Sequence, residues 1–323
     1  MAEDLMTTKG NNGIMHFERG ALMARTVEAT NRALGSGALR PIITESTVVK
    51  DSGVDFQVRM ISNLARKAEE KRLLGEKIGD KKEKPNPFLP YEKEMFVADI
   101  SRTHLCLLNK FNVIPHHLLI VTREFEDQET LLTMKDFEAI CTCIPEFEGL
   151  AFYNGGEAAG ASQKHKHLQM IPLPMGGGIG KPMSEKGPRV PMEPLFEKAR
   201  FNEGMAVIPG LPFVNAFGAF LPDLQKDVTE FAPVAHHMYR RMLHEVGLNS
   251  LNDLETETQS GPYNLLFTCE WMLLVPRSKE FFGPISVNAL GFAGALLAKN
   301  QHEMKLLMEQ GGMGVLLHTA QPL

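Results

Sequence analysis

The fold and chemistry of this chain are indicated most clearly by residues 154–169, which read NGGEAAGASQKHKHLQ. His165, His167 and Gln169 follow one another at every second position. Successive side chains of a β-strand point to opposite faces, so these three would share one face. The opposite face would carry Lys166, Leu168 and Met170. The sequence therefore predicts a strand with two imidazoles and a carboxamide on one face.

A loop rich in Gly, Ala and Ser precedes this strand. Small side chains leave the main chain exposed, so its N–H groups can approach an anion closely. We therefore expect residues 160–163 to bind an anion beside the histidines.

The chemistry of the three side chains favours transfer of a phosphorus-containing group. A neutral imidazole is a good nucleophile near neutral pH and can form a covalent intermediate. A neighbouring histidine can fix its tautomer and orientation. A glutamine amide can stabilise charge that develops on a phosphate oxygen, but it cannot deliver a proton. This combination suits a leaving group and an acceptor that are both already phosphates.

The residue types alone leave two other readings open. A single histidine on a strand is usually a structural residue. The pair His165 and His167 could also be two metal ligands completed by a third from elsewhere, although no acidic or thiol partner lies close by in the sequence.

Composition excludes several classes of protein. The 323 residues are 43% hydrophobic and 23% charged, which is typical of a globular protein and not of a disordered one. The net charge of −5 argues against bulk binding to nucleic acid or to anionic membranes. No apolar run approaches the roughly 18 residues of a membrane span. The first residues, MAEDLMTTKG, do not resemble a secretory signal, and the four cysteines form no CxxC pair. We expect a cytoplasmic protein with reduced thiols.

The order of predicted elements suggests an internal repeat. Residues 149–153 and 165–172 form two predicted strands, and residues 264–268 and 271–276 parallel residues 149–153 and 167–172 without the histidines. Each second strand ends in Ile-Pro or Val-Pro. A loop that begins at Gly176 would separate a half 1–175, which carries the motif, from a half 176–323. Ahead of the first pair, Thr133 and Asp136 predict a helix N-terminus, and Pro145 predicts that the helix ends at Ile144.

Other candidate motifs are weaker. Residues 176–181 do not have the spacing of a P-loop. The adjacent pairs His116-His117 and His236-His237 point different ways, and we assign them surface or core roles.

Residues 160–169, which read GASQKHKHLQ, resemble the signature of ATP adenylyltransferases, also called diadenosine tetraphosphate phosphorylases. That family belongs to the histidine triad superfamily, alongside galactose-1-phosphate uridylyltransferase. Residues 108–122 and 286–294 resemble further segments of the same enzymes, and the likeness spans about residues 54–299. Lys164 departs from the family pattern, since many relatives carry proline there, but it precedes the triad.

The resemblance implies a role for each residue of the motif. His167 would be the nucleophile that takes up AMP, His165 would support it, and Gln169 would hold the α-phosphate. Residues implied to bind the polyphosphate are Asn154, Gly160, Ala161, Ser162 and Gln163. Further phosphate or nucleotide contacts are implied for Lys67, Ser286, Asn288 and Lys299.

Together, the strand pattern and the resemblance predict an α+β, histidine-triad-like fold, with a mainly antiparallel sheet flanked by helices and a degenerate duplication. The implied activity is phosphorolysis of diadenosine tetraphosphate to ATP and ADP, and the reverse adenylyl transfer, through an adenylyl-histidine. The partners would be these small nucleotides and phosphate, not nucleic acid or membrane. No tightly bound cofactor or protein-bound metal is expected; a divalent cation such as Mg would accompany the polyphosphate.

Two alternatives remain. The chain could be another nucleotidyltransferase of the superfamily, with a sugar-phosphate or sulfate acceptor. It could also be a nucleotide-binding sensor without catalysis.

Overall fold

The computed structural model describes residues 18–62, 86–175, 187–202, 204–249 and 257–323. Lys67 and the loop that begins at Gly176 lie outside these residues, so their predicted roles stay predictions. No helix in the described part of the chain is long and apolar enough to cross a membrane.

One antiparallel sheet of ten strands forms the centre of the molecule, in the order β3-β4-β5-β7-β6-β11-β12-β10-β9-β8. The predicted α+β class with a mainly antiparallel sheet is confirmed. The ten strands are β3 (Phe96–Asp99), β4 (His104–Leu108), β5 (Leu118–Thr122), β6 (Gly149–Gly155), β7 (His167–Pro172), β8 (Arg200–Asn202), β9 (Met205–Val207), β10 (Ala216–Ala219), β11 (Tyr263–Phe267) and β12 (Trp271–Pro276).

Three long helices cover one face of this sheet. They are α1 (Leu22–Ser36), α2 (Met134–Phe147) and α4 (Val228–Glu245). They share one hydrophobic core with the side chains that the strands direct to this face, such as Leu168 and Met170. The predicted N-cap is present, because Thr133 and Asp136 form a reciprocal capping box at the start of α2.

The predicted end of α2 at Ile144 is wrong, since the helix continues through Pro145 to Phe147. A proline near a helix C-terminus removes a single N–H···O bond. Cys141, Cys143 and Ile144 are fully buried, and their packing holds the last turn in place.

The second face is covered mainly by residues from the C-terminal half. The elements here are a small sheet of β1 (Thr44–Asp51), β2 (Val54–Ile61) and β15 (Ala295–Ala298), the hairpin β13 (Phe281–Phe282) and β14 (Ile285–Ser286), and the helices α3 (Glu193–Phe196), α5 (Gln301–Gln310) and α6 (Gly312–Thr319). They form a second core with Phe152, Ile171 and Leu273 from the large sheet. The large sheet is therefore buried on both faces over much of its area.

The predicted repeat is visible in the strand order. The series β5, α2, β6, β7 recurs as β10, α4, β11, β12, and the two series meet where β6 pairs antiparallel with β11. Ala151 lies opposite Phe267 and Tyr153 lies opposite Leu265, so the pairing is symmetric about a local two-fold axis.

The alignment of the repeats needs a shift of one residue. Gly149 lies opposite Pro172, and Tyr263 lies opposite Pro276, so Gly149 corresponds to Tyr263 and not to Asn264. With this register, His167 corresponds to Trp271 and Gln169 corresponds to Leu273. Both halves contribute strands to one sheet, and their division at residues 175 and 176 stays a prediction.

Candidate active site

The two faces of the segment around β7 differ in charge. Lys166 is fully buried on the helix side, where its Nζ lies 2.9 Å from Glu126 and 3.2 Å from Asp136. His104 also contacts Asp136, at 3.0 Å. The hydrogen bond from His104 and the Lys166 cation hold the pKa of Asp136 at about 2, against the cost of its burial. The paired charges therefore lie on the face opposite His167.

His167 is held as a neutral base, and its Nε2 has no hydrogen-bond partner among the residues that the structure describes. Its Nδ1 lies 2.8 Å from the main-chain oxygen of His165, which can only accept a hydrogen bond, so Nδ1 carries the proton. Its main-chain N–H donates to Gln128 Oε1 at 2.9 Å. Burial lowers the pKa of His167 to about 4. Nε2 therefore keeps its lone pair at neutral pH and can act as a nucleophile.

His165 supports His167 through its main-chain carbonyl and not through its ring. The Nε2 atom of His165 lies 2.9 Å from the Thr122 carbonyl and 3.1 Å from that of Glu124. Its Nδ1 lies 3.0 Å from Asn86 Nδ2. These bonds fix the course of the chain before β7, and with it the carbonyl that orients the ring of His167.

Gln169 contacts a histidine that sequence analysis assigned to a surface or core role. The Oε1 atom of Gln169 lies 2.9 Å from Nε2 of His117, which directly precedes β5. Burial lowers the pKa of His117 to about 4, so its ring is neutral at physiological pH. His117, His167 and Gln169 thus form one uncharged group of polar side chains.

The predicted phosphate loop follows a sharp turn of the main chain. Gly156 and Gly160 both have a positive φ, which turns the chain sharply around a short 3₁₀ helix, Glu157–Ala159. Ser162 is exposed and Gln163 half-buried. Within the described residues, the main-chain N–H groups of Ser162 and Gln163 have no hydrogen-bond acceptor. Adjacent free N–H groups of this kind suit an anion.

Asn154 has a structural position beneath this loop. Its Oδ1 accepts hydrogen bonds from Asn264 Nδ2 and from the Ala289 N–H, both at 2.9 Å. Gly160 lies directly against Asn288, whose Cβ would be 2.9 Å from a Cβ at position 160. The structure therefore brings Asn154, Gly160 and Asn288 together, and Asn154 acts by joining β6 to β11 and to the 288–289 segment.

Two predicted residues have other contacts. Ser286 donates a hydrogen bond to Glu280 at 2.5 Å. Lys299 is exposed just after β15, at the end of the small sheet. Among the described contacts, neither side chain reaches His167 or Gln169. Their nucleotide contacts stay predictions.

Sequence reasoning missed several residues that position the motif. Gln128 donates to the Asn154 carbonyl at 2.9 Å and accepts from His167, so it bridges β6 and β7. The ring of Phe88 lies 5.2 Å from that of His167. Gln128 lies 39 positions from His167 and has no local motif to mark it. Within the described residues, no group of three His, Cys, Asp or Glu side chains could hold a metal ion.

Comparison with known proteins agrees with this geometry. A family model for the Ap4A phosphorylase N-terminal domain matches residues 12–198, where Ap4A denotes diadenosine tetraphosphate. A model for the ATP adenylyltransferase C-terminal domain matches residues 209–322.

Two curated proteins of Saccharomyces cerevisiae are similar over most of their length. Protein APA1 is 30% identical over 304 residues, which cover 86% of this chain and 87% of the relative. Diadenosine 5′,5‴-P1,P4-tetraphosphate phosphorylase 2 is 27% identical, over 85% of this chain and 86% of the relative. The crystal structure of yeast Ap4A phosphorylase Apa2 superposes with a TM-score of 0.71 at 25% identity, and covers 95% of this chain and 96% of that chain.

The buried neutral histidines predict that the protein loses stability in mild acid. The pKa of His117 and of His167 falls from 6.5 to about 4 on folding. Between pH 6.5 and about pH 4, both histidines are therefore protonated in the unfolded chain and neutral in the folded chain. Lowering the pH from about 7 to about 5 should reduce the free energy of unfolding by about 2 kcal/mol per histidine. Urea unfolding at both pH values measures this. The His117→Phe variant should lack the part of this pH dependence that His117 contributes. An unchanged pH dependence in that variant would show that His117 is not a neutral buried imidazole.

The close approach at Gly160 predicts that Gly160→Val disrupts the loop and its binding of nucleotide. The valine Cβ would lie 3.0 Å from the Val287 oxygen, in a backbone with φ +89°. We expect at least about tenfold weaker binding of a non-hydrolysable diadenosine polyphosphate by calorimetry, and a lower Tm. Gly37→Val is the matched control, because Gly37 has φ +75° with nothing within 4 Å. Unchanged affinity in Gly160→Val would place the anion site elsewhere.

Proposed function

The chain belongs to the family of Ap4A phosphorylases and ATP adenylyltransferases, and on this basis we propose that it catalyses phosphorolysis of diadenosine tetraphosphate through adenylyl-His167. The products are ATP and ADP, and the reverse reaction transfers AMP to ATP. The observation that carries the proposal is the contact between His167 Nδ1 and the His165 carbonyl. This contact leaves Nε2 of a neutral imidazole as the nucleophile.

In the first step, His167 Nε2 attacks the α-phosphorus of the dinucleotide. A bond forms between Nε2 and phosphorus while the bond from phosphorus to the bridging oxygen breaks, and ATP leaves as an anion. The ring of His167 gains positive charge, and the His165 carbonyl at 2.8 Å from Nδ1 stabilises that charge. No general acid is needed, because the leaving oxygen belongs to a polyphosphate.

The second step resolves the intermediate. An oxygen of inorganic phosphate attacks the phosphorus of adenylyl-His167, which gives ADP and restores the neutral imidazole. Phosphate is anionic at neutral pH and needs no base, whereas water must lose a proton. The Gln169 amide donates to the phosphate oxygens in both steps without titrating.

The loop at residues 160–163 binds the remaining phosphates through its main-chain N–H groups. A divalent cation such as Mg travels with the polyphosphate, whose oxygens supply its ligands, since the described residues offer no acidic cluster for it. We propose that the enzyme acts in the cytoplasm.

We predict that His167→Ala abolishes turnover without unfolding the protein. Removal of a covalent nucleophile costs orders of magnitude in rate. Wild-type protein mixed with Ap4A without phosphate should gain the mass of AMP by intact-mass spectrometry, and the variant should not. His237→Ala is the control, because His237 is exposed on α4. Turnover by His167→Ala at a comparable rate would disprove the covalent mechanism.

We predict that Gln169→His slows phosphorolysis and raises the share of hydrolysis, because an imidazole can shuttle the proton that water must lose. The measurement is the ratio of ADP to AMP formed from Ap4A at fixed phosphate. Gln169→Leu removes the donor without adding a base, so it should slow the reaction with little change in that ratio. If Gln169→His left the ratio unchanged, Gln169 would not determine the acceptor.

A further inference from the structure

We propose that Asn109 and His117 are positioning residues that fix which end of the Gln169 amide faces the substrate, through a chain of hydrogen bonds that begins at the main-chain N–H of Phe111. This inference rests on the proposed role of Gln169 as a donor to the phosphate. A carboxamide has a donor end and an acceptor end of nearly the same shape. Only one of the two orientations can stabilise a phosphate.

The first link fixes Asn109. The Phe111 N–H donates to Asn109 Oδ1 at 3.3 Å. A main-chain N–H can only donate, so the oxygen of Asn109 must face it. The Nδ2 atom of Asn109 is therefore directed the other way, and it lies 3.2 Å from His117 Nδ1.

The second link fixes the tautomer of His117. Nδ2 of Asn109 can only donate, so Nδ1 of His117 must accept and carries no proton. A neutral imidazole has one proton, which is then on Nε2. Burial keeps the pKa of His117 at about 4, and the titratable group facing it is His167, which is also neutral above that pH.

The third link fixes Gln169. Nε2–H of His117 donates to Gln169 Oε1 at 2.9 Å. The NH₂ group of Gln169 consequently lies on the side away from His117, and no acceptor for it occurs among the described residues. A flipped amide would place two donors against each other in a partly buried position, where neither could find an acceptor, so this orientation is disfavoured.

The same arrangement occurs at the other histidine of the motif. The Phe88 N–H donates to Asn86 Oδ1 at 2.9 Å, and Asn86 Nδ2 lies 3.0 Å from His165 Nδ1. In both places an asparagine two residues before a phenylalanine is oriented by the main chain, and in turn fixes an imidazole. Within the described residues, His117 and His165 thus take their proton positions from main-chain N–H groups relayed by asparagines, and not from a charged side chain.

The first test uses two substitutions at His117. H117F keeps the ring shape and the packing against Phe152, whose centroid lies 5.6 Å away, but removes the donor to Gln169. We expect kcat to fall about 10- to 100-fold with KM for Ap4A within about twofold, because the lost orientation matters most in the transition state. H117Q carries an amide N–H near the position of Nε2 and should recover most of the rate. A purely structural role would not be restored in this way.

The matched control is H116N. His116 is adjacent and half-buried, its Nδ1 contacts Thr30, and its positive φ of 57° is one that asparagine tolerates. It should retain wild-type kcat. Wild-type kcat in H117F would overturn the proposal, and so would equal losses in H117F and H117Q.

A second test reverses the relay at Asn109 without changing its shape. In N109D the new carboxylate accepts from both Phe111 N–H and His117 Nδ1–H, so the neutral ring presents a bare Nε2 and Gln169 must turn its NH₂ toward it. The carboxylate also raises the pKa of His117. Below that pKa both ring nitrogens donate and Gln169 keeps its orientation. The kcat of N109D should therefore fall as the pH rises. The kcat of the wild type should show no such fall between about pH 5 and 8. Wild-type kcat of N109D at about pH 8 would overturn the proposal.

A third measurement does not depend on activity. Nitrogen-15 NMR of histidine-labelled protein reports which ring nitrogen of His117 carries the proton. We expect Nε2–H in the wild type and Nδ1–H in N109D at high pH. A wild-type Nδ1–H tautomer would overturn the relay even if phosphorolysis proceeds. Absence of Ap4A phosphorolysis in the wild type, with the expected tautomers, would instead overturn the proposed function.

Discussion

The antiparallel pairing of β6 with β11 is the constraint on which the rest of this molecule depends. It joins the two repeats into one ten-stranded sheet and places the local two-fold axis between them. Asn154 and Asn264 lie opposite each other in this pairing and are hydrogen-bonded through their side chains. The same Asn264 accepts from the buried guanidinium of Arg277, which also donates to the Ala159 carbonyl at 3.3 Å. The predicted phosphate loop is thereby attached to the pairing of β6 with β11, beside the local two-fold axis.

The two repeats share a backbone and differ in what they present to the second face. Where the first carries His167 and Gln169, the second carries Trp271 and Leu273, and these pack with Phe217 into the second hydrophobic core. The 3₁₀ helix Ala289–Ala293, from the second half, lies beside the loop of the first, since Ala289 N–H donates to Asn154. One repeat therefore supplies the candidate reactive groups, and the other contacts the segment beside them.

The sequence allowed prediction of those features that depend on local alternation. The spacing of His165, His167 and Gln169 predicted the face that His167 and Gln169 share, because side-chain direction on a strand is fixed by parity, but the predicted start of the strand at His165 is wrong, since β7 begins at His167. The repeat was also visible, although its register was not, since apolar strands resemble one another and only the pairing with Pro172 and Pro276 settles it. His117 could not be identified, because its contact with Gln169 joins positions 52 residues apart. His165 orients His167 through its main-chain carbonyl. Every residue has such a carbonyl, so the residue type at position 165 could not predict this contact.

The charged and the neutral side chains lie on opposite faces of the segment around β7 because side-chain direction alternates along a strand. Lys166 cannot share a face with His167, so its cation and the carboxylates of Asp136 and Glu126 neutralise one another beneath the sheet. A carboxylate near the reacting phosphorus would repel the anionic substrate. Neutral donors avoid this repulsion, and in a buried site they act in a medium of low polarity where hydrogen bonds to an anion are strong. Such donors are useful only if each faces the right way. Among the described residues of this site the main chain supplies that orientation, through the N–H groups of Phe88 and Phe111 and through the His165 carbonyl.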